Sequence, residues 1–315
     1  MNSIDEHEAL VQKCQQRIDA DLKPSRAEHT RNVAKEAIRL ANKYGADPKK
    51  AEIAALLHDI ARNLPMEEMN RRIRRLGLEE RYINNKNLSH SKLAVEIMEQ
   101  DFGIQDRELL DAVAYHTTGR RGMTLLDKII FLADATEPGR EYPGVEKLRE
   151  LTEQDLDQAC AYSLRRTKEF IESKGEYLDP DTAEGLEFCE EEIEKKGRTS
   201  NMNEQREKAE LIAKTLYDKK GIDVAIIDIS PKASFADYFV IASGGSDRQV
   251  AALVENVEDL MEPQGVFPKS VEGRKSSGWI LMDYGDVVVN IMSVEMRERY
   301  NLEKVWGDCE ITEIE

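Results

Sequence analysis

The sequence predicts two domains, an all-α domain followed by an α/β domain whose sheet has mixed strand directions. Three observations carry this expectation. The chain has 315 residues, enough for two domains of roughly 100–200 residues each. From Asp5 to about Lys195, apolar residues recur at three- and four-residue spacing and strand-like alternation is absent. Beyond about Glu204, β-branched runs (VAIIDIS, DYFVIASG, SGWILMDYG and DVVVNIMS) are interleaved with helical segments.

The helical pattern of the first domain is carried by HTRNVAKEAIRLANKYG, KKAEIAALLHDIARNL, MEEMNRRIRRLG, SKLAVEIMEQDFG, DRELLDAVAYHT and LLDKIIFLADAT. Gly45, Pro65, Gly77, Gly103 and Pro138 stand where helix stops should. An acidic helix end, then Gly197 and a short Thr-Ser-Asn stretch, predicts a boundary, with domains at 1–196 and 204–315 and a linker at 197–203. The second domain opens with a helix, EQREKAELIAKTLYDKKG, and places another, DRQVAALVENVEDLMEPQG, between its second and third strand runs. DYG between WILM and DVVV is a hairpin turn signal.

Composition narrows the function. Hydrophobic residues make up 40% and charged residues 34%, and no apolar run approaches the ~20 residues of a bilayer span, so no membrane association is expected. The N-terminus, MNSIDEHEALVQKCQQ, is acidic and polar, unlike a signal peptide, which predicts a cytoplasmic protein. Cys14, Cys160, Cys189 and Cys309 show no C-x-x-C spacing and read as reduced thiols. The net charge of −17 divides into 32 basic against 40 acidic residues before Asn201, and 13 against 22 from there on. Neither half is a basic clamp, so no direct DNA binding is expected and any nucleic-acid role must be local or indirect.

Chemistry concentrates in the histidines. His58 and Asp59 end an apolar helical face formed by Ile53, Leu56, Leu57 and Ile60, and Asp134 follows the equally apolar Ile129 to Ala133. Carboxylates on buried helices are costly unless paired or bound to a metal. With His29, His90 and His116 they form an ordered set, H…HD…H…H…D. Each histidine alone reads as a core or capping imidazole; together they point to a metal centre. Imidazoles with carboxylates suit iron, manganese or zinc better than magnesium alone. Six ligands are too many for one ion that must leave a position open for water, so two divalent transition-metal ions are expected, with Asp59 able to bridge them.

RAEHTRNVA, LLHDIAR, LSHSKLA, YHTTGR and LDKIIFLADATEPGR together resemble the HD-domain metal-dependent phosphohydrolases. The likeness is closest to the YqeK-like branch, the symmetrical diadenosine tetraphosphate hydrolases, and covers about residues 8–190. The resemblance implies that His29, His58, Asp59 and Asp134 hold one ion and that Asp59, His90 and His116 hold the second. Iron is the implied metal, and the residue types also admit manganese or cobalt. The implied activity splits diadenosine tetraphosphate into two ADP by attack on an inner phosphorus.

Other residues have candidate roles beside that set. Thr117, Thr118, Gly119 and Arg120 directly follow a ligand, where hydroxyl, backbone and guanidinium donors can hold phosphate oxygens. Lys128 faces either a phosphate or a partner carboxylate, and Arg140 in EPGR either reaches the polyphosphate or lies on the surface. Arg71, Arg72, Arg74 and Arg75 read as a solvated helix face.

In the second domain, Gly244-Gly245-Ser246 lacks phosphate-loop spacing, and Asp283 and Asp286 straddle a hairpin turn as a poor metal pair, so no chemistry is expected there. ASFADYFVIASGGSDRQVAALVENV, VEGRKSSGWILMDYGDVVVNIM and MRERYNLEKVWGD are similar to the ribosomal silencing factor family, RsfS or iojap-like, over Glu204 to Asp308. The resemblance implies a mixed-sheet fold with nucleotidyltransferase-like topology and without catalytic carboxylates. It also implies binding to a protein on the intersubunit face of the large ribosomal subunit, which blocks subunit joining. An acidic domain suits a basic ribosomal protein. Trp279, Tyr284, Tyr300 and Trp306 are candidate interface anchors, with core packing as the alternative. Asn290 stands where the family commonly has His, which implies weaker docking if that His belongs to the partner surface.

The expected protein is thus a fusion of a dinuclear-metal dinucleoside polyphosphate hydrolase with a ribosome anti-association factor, and a homodimer stays open. Two other readings compete: an HD phosphohydrolase of another nucleotide, and a non-catalytic nucleotide sensor that binds ribosomes.

Overall fold

A computed structural model describes residues 3–274 and 278–315. The run SGWILMDYG therefore starts, at Ser277, outside the described residues, as do Lys275 and Ser276 of VEGRKSSGWILM. The chain divides into two compact units, Met1–Glu194 and Lys195–Glu315.

The first unit is helical: α1 (Ser3–Asp21), α2 (Pro24–Tyr44), α3 (Pro48–Leu57), α4 (Met66–Leu76), α5 (Lys86–Phe102), α6 (Arg107–Ala114), α7 (Leu125–Thr136), α8 (Val145–Gln154), α9 (Leu156–Ser173) and the start of α10 (Pro180–Asp218). Local chemistry sets the ends. Asp47 and Asp106 accept backbone N–H groups at the starts of α3 and α6, and Thr124 and Asp127 form a reciprocal capping box on α7. α2 closes on Gly45 at φ 79°, a left-handed residue whose N–H bonds Ala41 O.

α3 is the hub. Its Ile53, Ala54, Ala55, Leu56 and Leu57 are all buried, and it packs against α1, α2, α6 and α7. Ile18, Leu40, Leu93, Met98, Ile129, Ile130 and Leu132 complete the core. Each such side chain stabilises the fold by about 1.5–3 kcal/mol through removal from water. Cys14, Cys160 and Cys189 are buried in the first unit, whereas Cys309 of the second is half-buried. Burial pushes the Cys14 thiol up to about 12.

The linker expected at 197–203 is helix: α10 runs without interruption from Pro180 to Asp218. One glycine inside a helix costs only about 1 kcal/mol, and the strong helix formers before Gly197 (Glu194, Lys195, Lys196) and beyond the Thr-Ser-Asn stretch (Glu204, Gln205, Arg206) offset it. Thr199 bonds back to Lys195 O at 3.0 Å instead of breaking the ladder.

The second unit adds β1 (Ile222–Asp228), β2 (Tyr238–Gly244), α11 (Asp247–Met261), β3 (Ser270–Glu272), β4 (Trp279–Asp283), β5 (Val287–Ser293), α12 (Val294–Tyr300), α13 (Leu302–Val305) and β6 (Glu310–Glu313). The strands form a mixed six-stranded sheet in the order β3-β4-β5-β2-β1-β6, in which β2 and β5 pair in parallel and their neighbours antiparallel. The expected hairpin joins β4 to β5, and Gly285 supports it at φ 90° with its N–H on Asp283 Oδ1. Alternation along β5 sends Val287, Val289 and Ile291 into a core with α10 and α11, and Val288 into a smaller one with Leu302 and Trp306. Among the described residues no helix is long and apolar enough to cross a membrane.

Candidate functional site

Five segments of the first unit converge on one cluster. His29 sits on α2, His90 on α5 and Asp134 in the last turn of α7, while His116 follows the end of α6. Adjacent residues inside an ideal helix point about 100° apart, which would separate His58 from Asp59. α3 stops at Leu57, however, and the chain continues in tight turns, with Ile60 N–H on Leu57 O and Arg62 N–H on Asp59 O. His58 Nε2 and Asp59 Oδ2 thereby come to 3.5 Å.

All six predicted ligands belong to the cluster. Their donor atoms fall into three overlapping groups, His29-His58-Asp59, His58-His116-Asp134 and Asp59-His90-His116, each within 4.8 Å. Asp59 divides its oxygens: Oδ1 lies 3.1 Å from His90 Nε2 and 3.9 Å from His116 Nε2, while Oδ2 faces His58. Asp134 Oδ1 lies 2.9 Å from His29 Nε2 and 3.9 Å from His58 Nε2.

The donor set fits divalent metal. His58 Nδ1–H donates to Ala55 O at 2.6 Å and His116 Nδ1–H to Val113 O at 2.8 Å, which leaves both Nε2 atoms as lone-pair donors facing inward. His58 Nε2 is buried with no hydrogen-bond partner, facing a carboxylate. A lone pair held against an anion in a dry site calls for a cation between them. His90 Nδ1 lies between an acceptor, Lys86 O at 3.0 Å, and a donor, Arg62 Nη1 at 2.9 Å.

Burial pushes His58 below its ordinary value and takes His116 down to about 3, so both imidazoles are neutral near pH 7. Burial would raise Asp59 and Asp134, yet both lie well below the usual carboxylate range, with the Arg140 guanidinium beside Asp134 favouring its ionised form. Neutral imidazoles and ionised carboxylates are the protonation states that metals bind.

Of the other expected residues, Arg140 joins the cluster. Its guanidinium pairs with Asp134 Oδ1, bonds Asp134 O at 2.7 Å and lies 3.4 Å from His29 Nε2. Arg120 does not present a free guanidinium, because Asp127 takes it at 2.7 and 2.8 Å beside the α7 cap. Thr118 is buried with its hydroxyl on Gly119 O, whereas Thr117 places Oγ1 3.2 Å from His116 Nε2. Lys128 makes the carboxylate pair of the two roles left open for it, 2.5 Å from Asp157 and over the Phe188 ring. Arg71 is largely exposed, and Arg72 and Arg75 pair with Glu96.

Three residues were missed from the sequence. Arg26 donates to Asp59 Oδ2 at 2.8 Å, Arg62 touches His90, and Glu137 touches His29 Nδ1 at 3.0 Å. Arg26 and Arg62 lie inside the quoted motifs, but nothing in a motif says which side chain crosses to another segment.

In the second unit, Ser246 caps α11 and Gln249 Oε1 accepts Gly245 N–H, so the Gly-Gly-Ser turn spends its donors locally. Tyr284 is a core residue with a buried, unpartnered hydroxyl raised to about 12 by burial, which corrects its place among the surface anchors. Trp279 is half-buried, 4.9 Å from the Tyr300 ring, and its Nε1–H donates to Asn290 Oδ1. Asn290 is buried under that contact, below the surface where it would meet a partner. Tyr300 is 47% exposed, whereas Trp306 packs on Phe239 at 5.7 Å. Phe235 is 63% exposed, with its ring beside Phe239, and was not singled out from the sequence.

Comparison with known proteins accounts for both halves. Residues 26–139 match the HD domain model, and residues 202–315 match the model of the ribosomal silencing factor during starvation. The chain is 44% identical over 155 residues to a symmetrical bis(5'-nucleosyl)-tetraphosphatase of Bacillus subtilis, covering 49% of this chain and 83% of that one. It is 35% identical over 111 residues to the ribosomal silencing factor RsfS of the same organism, covering 35% of this chain and 94% of that one. A crystal structure of a predicted HD superfamily hydrolase from Clostridium acetobutylicum superposes with a TM-score of 0.56 at 36% identity, over 61% of this chain and 99% of that one. Each relative is matched over most of its own length, the two hydrolases by the HD-domain part of the chain and the silencing factor by the second part. The chain therefore belongs to two families, the HD-domain symmetrical bis(5'-nucleosyl)-tetraphosphatases through its first unit and the RsfS ribosomal silencing factors through its second, as a fusion of the two.

Proposed function

We propose that the first unit hydrolyses diadenosine tetraphosphate symmetrically to two ADP. The observation that carries this reading is the division of Asp59, whose two oxygens serve different imidazoles and suit a bridge between two ions. His29, His58, Asp59 and Asp134 would hold one ion and Asp59, His90 and His116 the other, with iron as the proposed metal and manganese or cobalt as substitutes. Bound there, two divalent ions supply Lewis acidity and an activated water at neutral pH.

The chain's own residues do the rest. Arg26 and Arg140 pair with Asp59 and Asp134 but keep about one third of their side chains exposed at the cluster, where their remaining planar donors are suited to phosphate oxygens. The Thr117 hydroxyl, beside His116, gives a neutral donor on the same side as His90. Water adds to one inner phosphorus, the bond from it to the central bridging oxygen breaks, and that oxygen leaves with the second ADP. Metal-reconstituted enzyme offered a panel of dinucleotides tests this directly: two ADP from diadenosine tetraphosphate are expected, and AMP plus ATP, or no turnover, overturns the reading.

We further propose that the second unit binds a protein on the intersubunit face of the large ribosomal subunit and blocks subunit joining. Its acidity and the exposed Tyr300 and Phe235 support a protein partner over RNA. Co-sedimentation with isolated large subunits, and its loss on small-subunit joining, is the matching test.

A further inference from the structure

His58 and His116 direct Nδ1 at a carbonyl of the preceding turn, and a carbonyl also lies beside Nδ1 of His90. His29 differs: its Nδ1 faces a carboxylate, Glu137 Oε1, at 3.0 Å and from 108 residues away. Glu137 is 2% exposed, so its charge needs a nearby donor to be tolerated. The structure fixes it on every side. Its Oε2 accepts Gly139 N–H at 2.6 Å. Arg149 on α8 clamps the surrounding loop through three carbonyls, Thr136 O at 3.0 Å, Glu137 O at 3.0 Å and Arg140 O at 2.9 Å. Gly139 leaves the room required, since a Cβ there would stand 3.1 Å from both carboxylate oxygens.

We propose that Glu137 is the positioning residue of His29. It accepts Nδ1–H and selects the tautomer that leaves Nε2 as a lone-pair donor beside Asp134. The same loop carries Arg140, so one clamp sets both the ligand's orientation and a guanidinium at the rim of the site. The effect is asymmetric: the ion held by His29, His58, Asp59 and Asp134 gains a carboxylate behind a ligand, and the ion held by Asp59, His90 and His116 does not. This assignment rests on the two-ion reading above.

The test is a Co2+ titration of the metal-free full chain, followed by visible absorption. In Glu137→Gln, one ion should weaken by about 10–100-fold with an altered spectrum while the other keeps its wild-type affinity. Gly139→Ala, which crowds the carboxylate without removing it, should weaken the same ion. In a His29→Ala background, Glu137→Gln should add nothing. Two unchanged affinities in Glu137→Gln, or an equal loss at both positions, overturns the assignment, as does a further loss in the His29→Ala background. A wild-type chain that binds a single Co2+ overturns the two-ion reading instead, and Glu137 is then judged by whether that one ion weakens.

Discussion

His90 Nε2 and His116 Nε2 lie 3.1 Å apart, closer than two imidazole lone pairs rest without a proton or a cation between them. Metal removal should therefore cost stability. A ligand at one hundred times its dissociation constant stabilises by about 2.7 kcal/mol, so chelation should lower the melting temperature of the first unit by roughly 5–10 °C. Calorimetry with and without chelator measures it. A first-unit transition that ignores the chelator counts against the metal centre.

Asp59 and His29 should differ in what their loss removes. Asp59→Ala should strip both ions and reduce turnover by about a thousandfold or more, because the bridge is gone. His29→Ala should leave one ion per chain. Metal counting by mass spectrometry on the purified variants separates the two outcomes, and equal losses would contradict the bridging role.

The Lys128 ammonium and the Asp157 carboxylate are both nearly buried. Lys128→Ala removes a cation from beside that carboxylate and should destabilise by about 3–5 kcal/mol, while the KM for dinucleotide stays within about twofold. The double variant Lys128→Met with Asp157→Leu should recover much of the loss. Urea unfolding reads the stability, and a large KM change in either variant would return Lys128 to the substrate.

Lys92 lies on α5 with its ammonium 3.4 Å above the Tyr115 ring and 3.7 Å from Asp181, and burial lowers it to about 8. An unfolded lysine titrates near 10.4, so between about pH 8 and 10.4 the unfolded chain binds the proton and the folded chain does not. Stability should rise with pH across that window, by about 3 kcal/mol at most, relative to Lys92→Met. Equilibrium unfolding at pH 7.5 and pH 10 gives the difference, and parallel curves for the two proteins would refute it.

Tyr284 and Tyr300 should separate folding from docking. Tyr284→Phe removes a buried hydroxyl without a partner and should be neutral or stabilising by about 1 kcal/mol. Tyr300→Ala, at an exposed ring, should leave the melting temperature within about 2 °C and weaken large-subunit binding by about tenfold. Sedimentation against thermal melts distinguishes them.

The clustered histidines and aspartates were legible because their chemistry is their identity: a histidine or aspartate inside an apolar helical run has few inexpensive reasons to be there. The helices and the β4–β5 hairpin were legible from periodicity and turn residues. The residues that orient the ligands were not. Glu137 sits in a quoted segment, yet its purpose appears only across 108 residues, and Arg26 and Arg62 reach partners 33 and 28 residues away. Arg120 was read as a phosphate donor, and Lys128 was left between a phosphate and a carboxylate, because Asp127 and Asp157 become their neighbours only through helix packing. Gly197 and the Thr-Ser-Asn stretch misled in the opposite sense, since a short run of weak helix formers is a small interruption between longer segments that favour helix.

Three buried cysteines form a built-in clock for the opening of the first unit. Cys14, Cys160 and Cys189 are sealed inside the first unit, and Cys309 alone stands half-open in the second. Because only a thiolate reaches an electrophile, an alkylating probe must wait for the first unit to unfold before it can touch three of the four sulfurs. A time course of mass additions thus separates the opening of the first unit's core, read from three slow additions, from the prompt reaction of Cys309, in one tube and without a label added by design.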